Sequence, residues 1–158
     1  MESRHPLPHA TIGRLMGLIE TMRETPGSDD VARLAQALHL ELDDLLPLVD
    51  AAELLGLARV DKGEYDLTDA GQQIADAEEK ARKAIFRQCA GRIPLLQTIL
   101  AALGASENGQ VPREQILAAI PRRFSRKSAE RQLDTAVEWG RYAELFDYDA
   151  EARHFVKA

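Results

Sequence analysis

The sequence predicts a mainly α-helical protein with small β-hairpins, an α+β fold made of tandem winged helix-turn-helix modules. Two observations predict this fold. The first is that helical periodicity and hairpin signals follow one another in the order helix, helix, helix, hairpin. The second is that this order occurs in residues 1–79 and again in residues 80–158. Each module is near the lower size limit for an independent core, so we expect the two to pack together as one unit.

Three amphipathic helices open the first module, each with apolar residues at i, i+3, i+4 and i+7 spacings. Their inward positions are Ile12, Leu15, Met16 and Ile19, then Val31, Leu34, Ala35 and Leu38, then Leu45, Leu46, Val49, Ala52 and Leu55. Ser28 or Asp29 is expected to cap the second helix, and Asp43 or Asp44 the third. Pro47 then falls in the first turn of the third helix, where its missing N–H does little harm.

A β-hairpin and a further helix complete the first module. Gly56 ends the third helix, and Val60 and Tyr65 then flank the turn "DKGE", in which Gly63 suits a positive φ. Thr68 is expected to cap one helix running through "DAGQQIADAEEKARKAIF". A hairpin directly after the third helix is typical of a winged helix.

The second module repeats this plan after "RIP". The first helix has inward residues Leu96, Ile99, Leu100 and Leu103, and the third has Ala129, Leu133, Ala136, Val137 and Gly140. Between them, "GASENGQVP" is predicted to be a loop, residues 113–120 a short helix, and Ser125 the cap of the third helix. "YAELFDYD" and "RHFVKA" are predicted strands, and the tripeptide Ala-Glu-Leu recurs where each third helix meets its hairpin.

Composition and charge exclude several classes of protein. No apolar run approaches the roughly 20 residues of a membrane helix, so direct membrane insertion is not expected, and the N-terminus has no signal-peptide core. The single cysteine fits a reducing cytoplasm. Residues 1–79 carry 6 basic and 17 acidic side chains, a net −11, whereas residues 80–158 carry 14 and 9, a net +5. Only the second half is therefore expected to attract a polyanion.

A basic cluster near the start of the second module's third helix is the candidate contact for a partner or a polyanion. Its members are Arg122, Arg123, Arg126, Lys127 and Arg131. A solvated surface paired with Glu130 and Asp134 is the first interpretation, an acidic protein partner the second, and nucleic acid the third. In the first module, residues 43–55 contain four acidic side chains and no Lys or Arg, so that helix would repel a duplex.

Half of the eight aromatic residues lie in "EWGRYAELFDYD". The candidate residues for an interface, or for closing the module, are Trp139, Arg141, Tyr142, Phe146 and Tyr148. A core role is favoured for the rings, with Arg141 and Tyr148 turned outward toward a partner. Arg141 is expected to stack on a ring or to pair with Glu138 or Glu144.

No catalytic, cofactor or metal site is predicted. No two histidines lie on a predicted helix at ligand spacing, since the Pro-rich N-terminal stretch holding His5 and His9 is expected to be mobile. Cys89 has no CxxC partner and is expected to be a buried, inert thiol. Asp43 and Asp44 are adjacent and point apart on a helix, so they are not an acid–base pair.

The chain resembles the C-terminal AAA-associated domain that follows the ATPase of some nitrate/sulfonate/taurine-type ABC importers. The segments that carry the resemblance are "GLIETM", "DDVARLAQALHLELDDLLPLVDAAELLGLARV", "GEYDLTDAG", "ARKAIF", "IPLLQTIL" and "WGRYAELFDYD". The chain contains neither a G-x-x-x-x-G-K-[ST] loop nor an LSGGQ-type signature, so it has no P-loop route to ATP hydrolysis. Met1 either begins a fragment of a longer ATPase or begins a free-standing relative.

The resemblance implies a non-catalytic regulatory domain in the cytoplasm, at the inner face of the membrane when held in a transporter complex. Its partner would be an ABC ATPase domain, in cis or in trans, or a second copy of the chain, and no cofactor is implied. The alternative is a winged-helix transcription regulator that binds DNA through the basic cluster, which we consider less favoured. The sequence does not indicate the transported substrate, the effector or the oligomeric state.

Overall fold

The structure, a computed structural model, describes residues 6–24 and 30–158, in which eight helices and two small antiparallel sheets are present. The prediction of a mainly helical α+β protein is therefore confirmed. The chain divides into two compact units. The N-terminal unit is Pro8–Phe86, and the C-terminal unit is Arg87–Ala158, to which Pro6 and Leu7 also belong.

The N-terminal unit contains three helices, a hairpin and a short helix. They are α1 (Ile12–Glu24), α2 (Val31–Leu38), α3 (Leu42–Leu54), β1 (Ala58–Asp61), β2 (Glu64–Leu67) and α4 (Asp69–Asp76). The core forms where α1 packs against α2, α3, α4 and β2. Its fully buried side chains are mainly aliphatic: Leu15, Leu18, Ile19, Leu45, Leu57 and Ile74.

The hairpin of the N-terminal unit turns on two residues, because Asp61 pairs with Glu64 and only Lys62 and Gly63 lie between them. Both have a positive φ, 53° and 80°, which is the geometry of a type I′ turn. Asp30 adds an isolated bridge to Glu64, just before α2 begins. The predicted hairpin with a left-handed glycine is confirmed.

Capping in the N-terminal unit follows the prediction in part. Thr68 caps α4 by accepting the Gly71 N–H at 3.1 Å, as expected. Ser28 and Asp29 lie outside the described residues, and α2 is capped by Asp30, whose carboxylate accepts the Ala32 N–H at 2.8 Å. The helix predicted to run on from α4 is interrupted at residues 77–78, and a separate α5 (Glu79–Ala90) crosses the boundary between the units.

The start of α3 differs from the prediction. The N-cap is Glu41, without a side-chain cap hydrogen bond, so Asp43 and Asp44 lie within the first turn instead of capping it. Their charge still interacts favourably with the positive end of the helix. Pro47 consequently lies two or three residues deeper in the helix than expected, in its second turn. Leu46, predicted to face inward, is exposed, whereas Leu48 and Ala51, which were not in the predicted seam, are buried.

The C-terminal unit has three helices and a three-stranded sheet beyond α5. They are α6 (Pro94–Ala105), β3 (Gln110–Pro112), α7 (Arg113–Ala119), α8 (Arg126–Tyr142), β4 (Phe146–Asp149) and β5 (His154–Lys157). The strand order is β3-β5-β4, and both pairs are antiparallel. Its core is mainly aromatic where α8 meets the sheet: Trp139, Phe146 and Phe155 are fully buried.

Two predictions for the C-terminal unit are corrected. The loop predicted over "GASENGQVP" contains β3, which is only three residues long and therefore leaves almost no alternation to detect. The strand predicted from Tyr142 begins four residues later, because α8 continues to Tyr142 and the chain turns through a left-handed Glu144. Ser125 caps α8 as expected, accepting the Ser128 N–H at 3.0 Å.

The segment before α1 is attached to the C-terminal unit. Leu7 is buried, and its N–H donates to the side-chain oxygen of Gln132 on α8 at 3.2 Å. Gln132 is itself buried and also bonds Ser128. The expected mobility of the N-terminal stretch is therefore wrong for Leu7, while His5 lies outside the described residues.

Candidate functional site

The basic cluster lies at the start of α8 and in the turn that precedes it, and all five of its side chains are exposed. Arg126 is paired with Glu114 at 2.9 Å and with Glu130 at 3.3 Å. The guanidinium of Arg123 lies 4.8 Å from the ring centroid of Phe124. Within the described part of the chain, Arg122, Lys127 and Arg131 have no ion-pair partner. The cluster thus presents three uncompensated positive charges.

A buried arginine beside this cluster was not singled out from the sequence. Arg113 begins α7 with only 5% of its surface exposed. Its Nη2 donates to Glu130 Oε2 at 2.6 Å and to Asp134 Oδ1 at 2.9 Å. The guanidinium carbon also lies 5.9 Å from the ring centroid of Tyr148. The side chain therefore joins α7 to α8 through charge-assisted hydrogen bonds and contacts β4 through the ring of Tyr148.

This network changes the charge around the basic cluster. The hydrogen bond from Arg113 lowers the pKa of the Glu130 carboxyl, with Arg126 contributing through its charge. Glu130 is thus held ionised between two arginines. Of the two partners that the sequence suggested for the exposed cluster, Glu130 is shared between Arg126 and the buried Arg113, whereas Asp134 bonds Arg113. A lone charged residue opening a helix gives no sequence signal of burial, so Arg113 was missed.

The aromatic segment divides into core and surface. Trp139 and Phe146 are buried, and Phe146 contacts Phe155 edge-to-face with centroids 5.6 Å apart. Tyr148 is half-buried and packs on the same Phe155 at 5.0 Å. The buried rings of Trp139 and Phe146 therefore stabilise the unit, whereas part of the Tyr148 side chain remains accessible to solvent.

Tyr142 and Arg141 lie at the end of α8. Tyr142 is half-buried, and Arg141 is exposed and pairs with Asp147 on β4, with Nε and Oδ1 3.3 Å apart. Asp147 was not among the partners expected for Arg141. The pair is solvent-exposed and thus contributes little to stability.

An apolar stripe on α3 is the second surface of interest. Leu42, Leu46 and Leu54 are 48%, 42% and 44% exposed, and in the described part of the chain they are the exposed large apolar side chains. They share one i, i+4 row of the helix, whose remaining position is Asp50. Their spacing was visible in the sequence, but placing Leu46 in the inward seam concealed it.

The remaining candidates for chemistry are the thiol of Cys89 and clusters of metal-ligating side chains. Cys89 is buried, and desolvation raises the pKa of its thiol, which disfavours the reactive thiolate. In residues 6–24 and 30–158 no group of three or more His, Cys, Asp or Glu side chains could hold a metal ion. Over the same residues no helix combines the length and apolar character needed to span a membrane.

The comparison with protein families gives one match. The model of the family described as the C-terminal AAA-associated domain matches residues 32–149, which is well over half of the chain and includes α3, the basic cluster and the aromatic segment. No curated protein and no solved structure matches the chain. The family match confirms the resemblance inferred from the sequence motifs.

Proposed function

Because the chain belongs to the C-terminal AAA-associated domain family, we propose that it is a non-catalytic domain that associates with an ATPase and regulates it. The observation that carries this proposal is the family match across residues 32–149. The ATPase we propose is the ATP-binding subunit of an ABC importer of the nitrate/sulfonate/taurine type, bound in cis or in trans. The domain would then act in the cytoplasm, at the inner face of the membrane.

We further propose that each unit is a winged helix. Supporting this, β3 pairs with β5 and β5 with β4, so that the strand before the last two helices joins the C-terminal hairpin. In the N-terminal unit the bridge between Asp30 and Glu64 occupies the corresponding place beside the β1–β2 hairpin. A winged helix offers both a helix face and a hairpin for contacts with a partner.

Regulation would arise from differential docking. If the domain binds one conformation of the ATPase dimer more tightly than another, it must shift the population toward that conformation. The size of the effect on ATP hydrolysis is limited by the ratio of the two affinities. No bond-making step by the domain itself is required.

The test uses an ABC importer ATPase that carries a domain of this family and is truncated before it. Adding residues 1–158 in trans should restore the rate or the effector response of ATP hydrolysis seen in the full-length subunit. An ABC ATPase without such a domain is the matched control and should not respond. An unchanged rate and response in the truncated subunit, with and without the added chain, would contradict the proposal.

Binding of duplex DNA is the second candidate, and the three uncompensated charges of Arg122, Lys127 and Arg131 favour it. Contacts with phosphates would make such binding strongly salt-dependent. Fluorescence anisotropy at low salt, with Arg122, Arg123, Arg126 and Lys127 neutralised in the variant, separates the candidates. A salt-sensitive signal that the variant loses would support DNA binding, and an absence of binding at low salt would eliminate it.

A further inference from the structure

The exposed side of α3 combines three features that are not found together elsewhere in the described part of the chain. Leu42, Leu46 and Leu54 form an apolar row about 18 Å long, at 1.5 Å per residue. Asp50 lies in the same row, and Asp43 and Glu53 lie beside it within the same arc of the helix. The helix contains no Lys or Arg. We call these six residues the α3 face.

The carboxylates of the α3 face are available for a partner. Asp43, Asp50 and Glu53 are all exposed, and within the described residues none of them forms an ion pair. They are therefore not occupied by the surrounding unit, unlike Glu130 in the C-terminal unit, which bonds two arginines. An apolar row interspersed with free negative charge matches a surface with the opposite charge and an apolar seam of its own.

We propose that the α3 face binds a cationic amphipathic helix of a partner protein, one with a seam of apolar residues flanked by Lys or Arg. The leucines would enter the seam at i, i+4 positions, and the three carboxylates would pair with the flanking cations. Helices pack side by side in this way when both offer apolar residues with helical spacing. The charge selects a cationic helix over other helices with the same seam.

The same features argue against other occupants. Nucleic acid and anionic lipid headgroups would be repelled by Asp43, Asp50 and Glu53. A second copy of the chain has exposed large apolar side chains, in its described part, only on its own α3. Two α3 faces in contact would place carboxylates against carboxylates, which is unfavourable. The partner is therefore expected to be a different protein segment.

The experiment uses the full chain and a synthetic helical peptide of about 18 residues, long enough to cover the row. The probe carries a leucine seam flanked by lysines and a fluorescent label. One control peptide has the same seam flanked by glutamates, and another has the same composition with the seam scrambled. Fluorescence anisotropy gives the affinity, and amide chemical-shift changes locate the bound surface.

The variants separate apolar from electrostatic binding. Leu42→Gln with Leu46→Gln and Leu54→Gln removes the row while keeping good helix formers, and Asp50→Lys with Glu53→Lys reverses the charge. Glu107→Lys with Glu151→Lys, at exposed positions of the C-terminal unit, is the matched charge control. Circular dichroism checks folding, and Leu46→Gln alone replaces the triple variant if the latter is unfolded.

We expect saturable binding of the lysine peptide, with shift changes confined to α3. Binding should be at least about tenfold weaker for both control peptides and both α3 variants, a loss of about 1.4 kcal/mol or more, and unchanged for the matched control. Absence of saturable binding would overturn the proposal. Binding that is lost in the charge variant but kept in the leucine variant would also overturn it, because such binding is unspecific electrostatic attraction. A dimer of the chain that the leucine variant dissociates would overturn it as well, because α3 would then bind a second copy.

This inference deepens the proposed function by naming the surface and the chemistry of the partner, and the two can fail separately. If the peptide binds the α3 face but no ABC ATPase responds to the chain, the proposed function fails alone. If an ABC ATPase responds equally to the chain and to its α3 variants, and the peptide does not bind, the inference fails alone.

Discussion

Val31 and Arg113 occupy equivalent places in the two units. Each begins the helix after a short β segment, and each donates its N–H to a carbonyl in the following hairpin turn, Gly63 O at 3.0 Å and Arg153 O at 2.9 Å. Both side chains are buried, but one is aliphatic and the other a guanidinium. The backbone plan is thus shared, while the chemistry that fixes it differs.

The same contrast continues on the surface. The exposed side of α3 carries leucines and unpaired carboxylates. The exposed start of α8 carries arginines and a lysine, and no large apolar side chain there is as exposed as the leucines of α3. Two units with a common order of elements therefore present surfaces of opposite charge and different polarity. We therefore expect any choice of partner to depend on side chains outside the shared core.

The largest change in the free energy of unfolding is expected from a substitution that tests whether the two units are stabilised separately. Trp139→Ala removes a fully buried ring from the C-terminal unit and should cost about 3–5 kcal/mol in the free energy of unfolding. Amide hydrogen exchange should show lost protection in α6, α8 and β5, with α1 and α3 still protected. Equal loss of protection in both units would mean that they unfold as one.

Two buried glycines provide a sharper comparison. A Cβ on Gly71 would lie 2.0 Å from the backbone oxygen of Leu57, and one on Gly140 would lie 2.1 Å from the ring of Phe146. Either substitution to alanine should cost about 1–3 kcal/mol through overpacking. Because the second obstacle is a side chain, Phe146→Leu should relieve part of the cost of Gly140→Ala, which a double-mutant cycle in urea would measure.

Two other helical glycines, at which an added Cβ would meet no neighbouring atom, serve as controls for Gly71 and Gly140. Gly17 and Gly104 have nothing within 4 Å of an added Cβ. Gly17→Ala and Gly104→Ala should therefore raise the free energy of unfolding by about 0.5–1 kcal/mol. A destabilising result at these positions, or additive costs in the double-mutant cycle, would contradict the packing interpretation.

Replacing the buried cation tests the difference between Val31 and Arg113 directly. Arg113→Met should cost about 2 kcal/mol, less than the loss of a fully buried pair, because Glu130 and Asp134 can be partly rehydrated. Val31→Met in the other unit should cost less than about 1.5 kcal/mol. Chemical denaturation measures both, and equal costs would remove the distinction between the units.

The ion pair also predicts that the stability of the C-terminal unit depends on pH. Since the folded-state pKa of Glu130 is lowered, its contribution is present above the unfolded pKa of about 4.3 and is lost as the pH falls through the folded value. Glu130→Gln should flatten the acid limb of the stability curve for this unit. An unchanged acid limb would contradict the role assigned to the pair.

The smallest expected effect concerns the exposed ion pairs, in which the units should not differ. Arg141 pairs with Asp147 in one unit, and Arg23 pairs with Asp76 in the other, and all four side chains are about half exposed or more. Arg141→Ala and Arg23→Ala should each change the free energy of unfolding by less than about 1 kcal/mol. Thermal denaturation at low and high salt would detect a larger contribution.

Periodicity and turn chemistry predicted most of the fold. The seams of α1 and α2, the Gly63 turn and the caps of α4 and α8 depend on neighbours in sequence, which a pattern can reveal. The start of α3 was misplaced by two or three residues, because Asp43 and Asp44 offer better capping side chains than Glu41, which is the N-cap. Leu46 was placed on the wrong side for a different reason, since the predicted seam included the adjacent Leu45 and Leu46 and only Leu45 faces the core.

The candidate surfaces were harder to predict because the burial of a side chain depends on residues that are distant in the sequence. Arg113 is buried only because α8 and β4 close over it, and nothing adjacent in the sequence indicates that. The inward position of Trp139 could be anticipated, since a large ring at the joint of a helix and a strand has apolar neighbours on both sides. Whether the α3 face and the basic cluster bind partners stays a prediction.

The hydrogen bond between Leu7 and Gln132 links the start of the chain to α8, and this link bears on where a protein fused upstream would be attached. The chain enters through the C-terminal unit, leaves it for the whole of Pro8–Phe86, and returns at Arg87. A protein fused ahead of Pro6 would therefore be connected first to the C-terminal unit, through the contact of Leu7 with α8. Shortening such a linker should strain the Leu7 anchorage before it disturbs α3.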